Sequence, residues 1–396
     1  MENVNMRKDE QTTRKNIKQS SNKKNFSLGQ LLPFVIFLLL GGAGGTLMGR
    51  SLAGLSAEGS ALPEGLLLFL LVTLFFVALF LQIIIHEAGH LVFGLLTGYR
   101  FSSFRIGSLM LLKEDGRLRL KTLSIAGTGG QCLLLPPIWS ETHAPYVLYH
   151  LGGALMNFIT AALFFVCNLV FANHALLSAV FGALAAAGAA IGLMNVIPLR
   201  MALLDNDGSN LLWLRKDPQA VFAFYRMLEI YGQIAAGKRL RDLPEDWFRL
   251  PATADLNNPL ISTIQVYAIN RLLDEQKVAQ TAERIQMLLG SSSAVNGIHR
   301  NLLRCDLAYC AMMQDDFVTA HETLDEPLRK FMQSMKTFPS ILRTQYAEAL
   351  LRDHDAAKAA EIRARFDRIA KKYPYPSDIE SENDLMRAAQ AKSTLA

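Results

Sequence analysis

Charge is what this chain has least of. Only 19% of its 396 residues are Asp, Glu, Lys or Arg, against roughly 25% in an ordinary soluble domain. Hydrophobic residues make up 51%. The apolar residues crowd the first 200 positions, while the second half reads as a soluble helical protein. That contrast argues against a wholly soluble chain and for a membrane protein. Cysteine is scarce as well: Cys132, Cys167, Cys305 and Cys310 include no CxxC pair. This excludes a disulfide framework and fits isolated thiols in a reducing compartment. No stretch interleaves basic and aromatic residues, so no nucleic-acid partner is expected. The net charge of +5, partly carried by the first 24 residues, reads instead as a topological signal. That N-terminal stretch does not read as a cleavable signal peptide. Its basic region is too long, and no small-residue cleavage site follows a short apolar core.

What is present is a set of long apolar runs. A polar, Lys/Asn/Gln/Ser-rich tail over 1–27 is expected to be disordered. Membrane spans are expected near 30–48, 66–97, 146–172 and 175–199, each close to the roughly 20 apolar residues that cross a bilayer. Between the second and third, 101–143 alternates apolar and polar residues around Glu114-Asp115-Gly116. This predicts a membrane-associated β-hairpin with arms near 103–113 and 117–125. The hairpin either links two spans or offers an edge strand to an extended substrate. With the basic tail inside, four crossings put Lys113, Arg117, Arg119 and Lys121 on the cytoplasmic side, and both termini with them. The expected fold is mainly α, a polytopic protein with a domain over 28–210. A soluble all-helical region over 211–396 follows it, either tetratricopeptide-like or an irregular bundle.

The chemistry lies in HEAGH at 86–90, inside the second apolar run. On a helix, His86 and His90 share a face and can offer both imidazoles to one metal ion, while Glu87 stays free to act as a base on water. Titratable groups at membrane depth are costly and are usually functional. A catalytic zinc site needs a third protein ligand and an open position. No His follows at the spacing of a longer His-rich motif. The candidates are therefore Asp205 and Asp207, where the fourth span meets the expected cytoplasmic face; one would bind and the other would cap or turn.

Three elements together give the resemblance. HEAGH lies on one span, Gly153 to Asn157 on the next, and Asn195-Val-Ile-Pro198 with Asp207-Gly208 on the last. The chain resembles the site-2 protease family of intramembrane zinc metalloproteases over about residues 66–210. The resemblance implies His86, His90 and Asp207 as zinc ligands and Glu87 as general base and acid. It gives Asn157 and Asn195 to substrate binding, and the hairpin to presenting substrate as an added strand. The sequence departs from many members by placing LRMALLDN between Pro198 and Asp207, which keeps Asp205 as a rival ligand. No PDZ-like or CBS-like module is evident, and the helical region takes that place. The implied activity is hydrolysis of membrane-embedded or signal-peptide-like substrates near the cytoplasmic face. A membrane-anchored helical scaffold, its tail recruiting a protein partner, is the alternative.

Overall fold

A computed structural model describes residues 63–114, 116–138, 144–199 and 203–395, with scattered positions between 35 and 53. The expected tail over 1–27 and most of the expected span over 30–48 lie outside the described residues. Among the described residues, three helices are long and apolar enough to cross a membrane. They are α1 (Glu64–Leu96), α2 (Tyr146–Val170) and α3 (Ala175–Val196). At 1.5 Å per residue, α1 is about 50 Å long, well beyond a hydrocarbon core of about 30 Å. Large apolar side chains such as Leu68, Phe69, Phe76, Leu163 and Leu176 point outward along these helices. An apolar surface of that extent suits lipid rather than water. The opposite faces meet through small residues: Ala78, Ala183 and Ala187 are fully buried where α1 and α3 pack.

Between α1 and α2 stands a four-stranded antiparallel sheet in the order β3-β2-β1-β4. The strands are β1 (Arg100–Ile106), β2 (Leu109–Glu114), β3 (Arg117–Thr122) and β4 (Gly130–Leu135). The hairpin expected from the sequence is thus part of a larger sheet. Its first arm is broken at Gly107, where φ of +57° turns the chain between β1 and β2. Glu114 pairs with Arg117 across the β2–β3 turn. The extra strand, β4, is a short apolar run that pairs with β1 and becomes a sheet edge.

Residues 207–395 are helical throughout their regular elements. They comprise α4 (Asp207–Lys216), α5 (Pro218–Ala235), α6 (Pro259–Asp274), α7 (Val278–Gly290), α8 (Gly297–Met313), α9 (Phe317–Thr323), α10 (Glu326–Ser334), α11 (Pro339–Ala347), α12 (Ala356–Ala370) and α13 (Pro376–Leu395). Their starts are chemically marked. Asn206, Asp217, Asn258 and Asn296 cap α4, α5, α6 and α8 through their side chains, and Pro218 and Pro259 stand at first helical positions. The helices pack on the sheet. One apolar cluster joins Tyr99, Cys132 and Leu134 to Phe224, Leu228 and Ile261, and another joins Met110 and Leu112 to Ile230, Leu243 and Tyr375. The sheet is therefore held between the membrane helices and this helical region.

Candidate metal centre

The 86–90 motif lies in the last third of α1, about 15 Å of helix before Leu96. His86, Glu87 and His90 are all buried. His86 Nδ1 meets Asn157 Oδ1 at 2.7 Å, and His90 Nδ1 meets the Tyr149 carbonyl at 2.7 Å. The orientation of the Asn157 amide follows from its own network. Its Nδ2 donates to the carbonyl and Oε1 of Gln82 at 2.9 and 2.8 Å, which leaves Oδ1 for His86. Neither acceptor can supply a proton, so each Nδ1 carries the hydrogen, and in the neutral imidazole each Nε2 presents a lone pair.

Those lone pairs converge. The two Nε2 atoms are 3.1 Å apart, and Asp207 Oδ2 lies 3.1 Å from His86 Nε2 and 3.3 Å from His90 Nε2. Three electron-rich atoms at this spacing repel one another unless a proton or a metal ion joins them. Two neutral imidazoles and one carboxylate are a donor set that suits zinc. Among the described residues, His86, His90 and Asp207 are the group whose ligand atoms all lie within 4.8 Å of one another.

Local sequence explains each position. Gly153 on α2 has no side chain because a Cβ there would lie 2.6 Å from both Nε2 atoms. Asp207 opens α4, which must start hard against the end of α3: a Cβ on Gly208 would stand 2.2 Å from the Val196 carbonyl oxygen. Asn206 ties the connection together. Its Nδ2 donates to the Met194 and Ile197 carbonyls at 2.6 Å, and its Oδ1 accepts from Leu199 N and Ser209 N at 3.0 Å. The loop after Pro198 can therefore be long and still return Asp207 to the histidines.

The three donors and Glu87 line one cavity of about 520 Å³. Asn195 and Asp205 stand on its wall, Asn195 with its Nδ2 bonded to the Ile191 carbonyl at 2.9 Å. Asp205 is outside the three-donor group. Gln131, Cys132 and Leu133 of β4 form one side, and Phe224, Met227, Leu260 and Leu302 of the helical region form another. Among the described residues, none of β2 or β3 lines it; of the arms expected at 103–113 and 117–125 it meets Ile125, and the strand beside the metal centre is β4.

Four residues with parts in this geometry escaped the reading of the sequence. Gln82, fully buried, holds Asn157 and donates to the Leu184 carbonyl at 3.0 Å; its signal was a lone amide one turn before His86. Asn206 stood unread beside Asp207. Tyr149 supplies the carbonyl for His90 and donates its hydroxyl to the Cys132 carbonyl at 2.9 Å, a contact that no local pattern shows. Arg105 was hidden in an alternating strand.

Fold and site together define a membrane protein with a buried His/His/Asp centre and an adjacent glutamate, the equipment of a metallopeptidase. The signature of Peptidase family M50, the family of the site-2 proteases, matches residues 74–345. The chain belongs to that family. The match runs past the membrane helices into α11, so the helical wall of the cavity falls within it. No curated protein and no solved structure matches the chain.

Proposed function

We propose that the protein is an intramembrane zinc metalloprotease that cuts membrane-embedded or signal-peptide-like substrates near the cytoplasmic face. The observation that carries this is the convergence of His86 Nε2, His90 Nε2 and Asp207 Oδ2 beside Glu87 in one cavity. Zinc held by these donors would lower the pKa of a water and polarise the scissile carbonyl. Glu87 accepts the proton from the attacking water and delivers it to the leaving nitrogen, so one peptide bond and one water become an acid and an amine. Asn157 and Gln82 keep His86 in the tautomer that leaves Nε2 free, and the Tyr149 carbonyl does the same for His90. Asn195 is placed to meet substrate on the cavity wall. A helical substrate hides its carbonyls in its own hydrogen bonds and must unwind. An unwound segment can lie along the β4 edge, where main-chain groups are offered beside the metal centre.

Orientation follows from charge. Arg100, Lys113, Arg117, Arg119 and Lys121 lie on the sheet side, while Phe171-Ala172-Asn173-His174 between α2 and α3 contains no Lys or Arg. On this reading the sheet and the helical region are cytoplasmic, in a multi-pass protein of the cell membrane, and the N-terminus joins them when the expected span over 30–48 makes a fourth crossing. The remaining outer face of the helical region can recruit a protein partner.

The test is incubation of purified protein in detergent with membrane-spanning peptides, and mass spectrometry of the products. Internal cleavage that a chelator abolishes and zinc restores is expected. Intact peptides in every case, from zinc-loaded protein, would leave only the scaffold.

A further inference from the structure

No side chain among the described residues hydrogen-bonds the Glu87 carboxylate, so the packing around it bears on how the proposed base is held. What packs on it is backbone. A Cβ on Gly130 would lie 2.5 Å from Glu87 Cγ and 2.7 Å from its Oε1, and a Cβ on Gly129 would lie 3.3 Å from Ile83. The turn over 125–130 therefore forms the slot in which Glu87 sits, and it lines the metal cavity at Gly127, Thr128, Gly129 and Gly130.

A glycine-rich turn does not hold its own shape, since each glycine has more backbone freedom than any other residue. Here one side chain braces it. Arg105, 1% exposed, donates from Nη1 to the Gly107 carbonyl at 2.7 Å, and from Nη2 to Thr128 Oγ1 at 2.7 Å and the Gly130 carbonyl at 3.3 Å. Thr128 passes the restraint on, donating its hydroxyl to the Ile125 carbonyl at 3.0 Å. The Gly107 amide donates to the Gly129 carbonyl at 2.8 Å, so both ends of the brace meet the same turn. Its hydrogen-bond partners among the described residues are two carbonyls and a hydroxyl rather than a carboxylate, and its Nε is buried without a partner. A buried guanidinium without a paired anion is expensive. An apolar side chain would serve the core better, and the placement makes sense if the turn is what matters. The guanidinium also lies within electrostatic reach of Glu87.

We infer that Arg105 is a positioning residue for the hydrolytic step: it fixes the Thr128–Gly130 turn and, through it, the side chain of Glu87. The inference rests on the protease reading above. It separates Arg105 from the metal ligands, because its hydrogen-bond partners are Gly107, Thr128 and Gly130 and not His86, His90 or Asp207.

The test compares the unaltered protein with Glu87→Gln, Arg105→Met, Arg105→Lys and Thr128→Ala, each assayed for zinc content and for kcat and KM on one membrane-spanning peptide. In zinc-loaded Arg105→Met, kcat falls on the order of 10²-fold, the scale of a 1 Å misplacement at a reacting group, with KM little changed. Thr128→Ala falls in the same direction, Arg105→Lys recovers part of the loss, and the Arg105→Met/Thr128→Ala double variant is no worse than Arg105→Met. A second readout needs no turnover. In metal-free protein, carbodiimide labelling of Glu87, followed by mass spectrometry, is faster in Arg105→Met because the slot has opened. Unchanged kcat per zinc and unchanged labelling in both Arg105→Met and Thr128→Ala would overturn the inference. Absence of cleavage by the unaltered protein would instead strike the protease reading, and the labelling rate would still decide the role of Arg105.

Discussion

At the scale of single residues, the proposed centre gives metal binding and proton transfer to different side chains. Glu87 is next to a ligand in sequence yet outside the three-donor group. Glu87→Gln is therefore expected to keep its zinc and lose about 10²–10⁴-fold in kcat, as removal of a general base does; metal analysis beside a cleavage assay checks both halves. Asn157, expected at the substrate, lies fully buried behind His86, one hydrogen bond from the proposed metal ligand. Asn157→Leu leaves His86 Nδ1 without its acceptor and is expected to weaken zinc binding about 10–100-fold, as loss of an outer partner does, which a competition titration with a chromophoric chelator measures. Gly153→Ala makes a stricter case, because its methyl group would occupy the space beside both Nε2 atoms. That variant should fold and bind no metal; normal zinc content would show that the imidazoles can retreat. The histidines and glutamate were legible in the sequence because helix packing alone gives no reason to keep two imidazoles at i and i+4 in an apolar run. Gln82, Tyr149 and Arg105 were not, because each takes its role from partners 59 to 102 residues or one strand away.

At the scale of elements, the sequence shows what is periodic and hides what depends on pairing. The three membrane helices were legible from apolar length alone, with ends differing by three residues or fewer from those expected. The sheet was legible only as a hairpin. β4 is Gly130-Gln131 followed by the apolar run Cys132–Leu135, ending at two prolines, and so short a run carries no alternation until β1 supplies its partner. That strand, rather than the hairpin, borders the metal centre. The junction of α3 with α4 is the element-level restraint on Asp207. Gly208→Ala would drive a methyl group into the Val196 carbonyl, so α4 must move away and take Asp207 with it. Lower zinc occupancy together with a lower melting temperature is expected, whereas Asp207→Asn should lower occupancy with a smaller effect on the fold. Equal occupancy in Gly208→Ala and the unaltered protein would show that α4 has room to adjust.

At the scale of the whole molecule, the helical region shares its apolar clusters with the sheet, and its stability should be felt at the active site. One of its acids offers a probe. Burial, with Glu382 and Asp274 nearby, pushes the Asp378 carboxyl from 3.8 up to about 7. Between those values the unfolded chain has released the proton that the folded chain keeps, so this group makes stability fall as pH rises. His299, pulled by burial down to about 4, acts in the opposite sense below its ordinary value, so a difference between variants is the clean measure. Asp378→Asn should melt above the unaltered protein by a margin that grows from pH 5 to about pH 7 and then levels; a constant difference between pH 5 and pH 7 would contradict the assignment. The proposed activity rests on the three converging donors. The decisive experiment is therefore a count of zinc per chain in the unaltered protein, Glu87→Gln, Asp207→Ala and Asp205→Ala, with peptide cleavage by each preparation. About one zinc is expected in the unaltered, Glu87→Gln and Asp205→Ala proteins, with zinc lost in Asp207→Ala and cleavage lost in both Glu87→Gln and Asp207→Ala. Zinc retained by Asp207→Ala, or cleavage undiminished in Glu87→Gln, would contradict the His86/His90/Asp207 centre and its glutamate base.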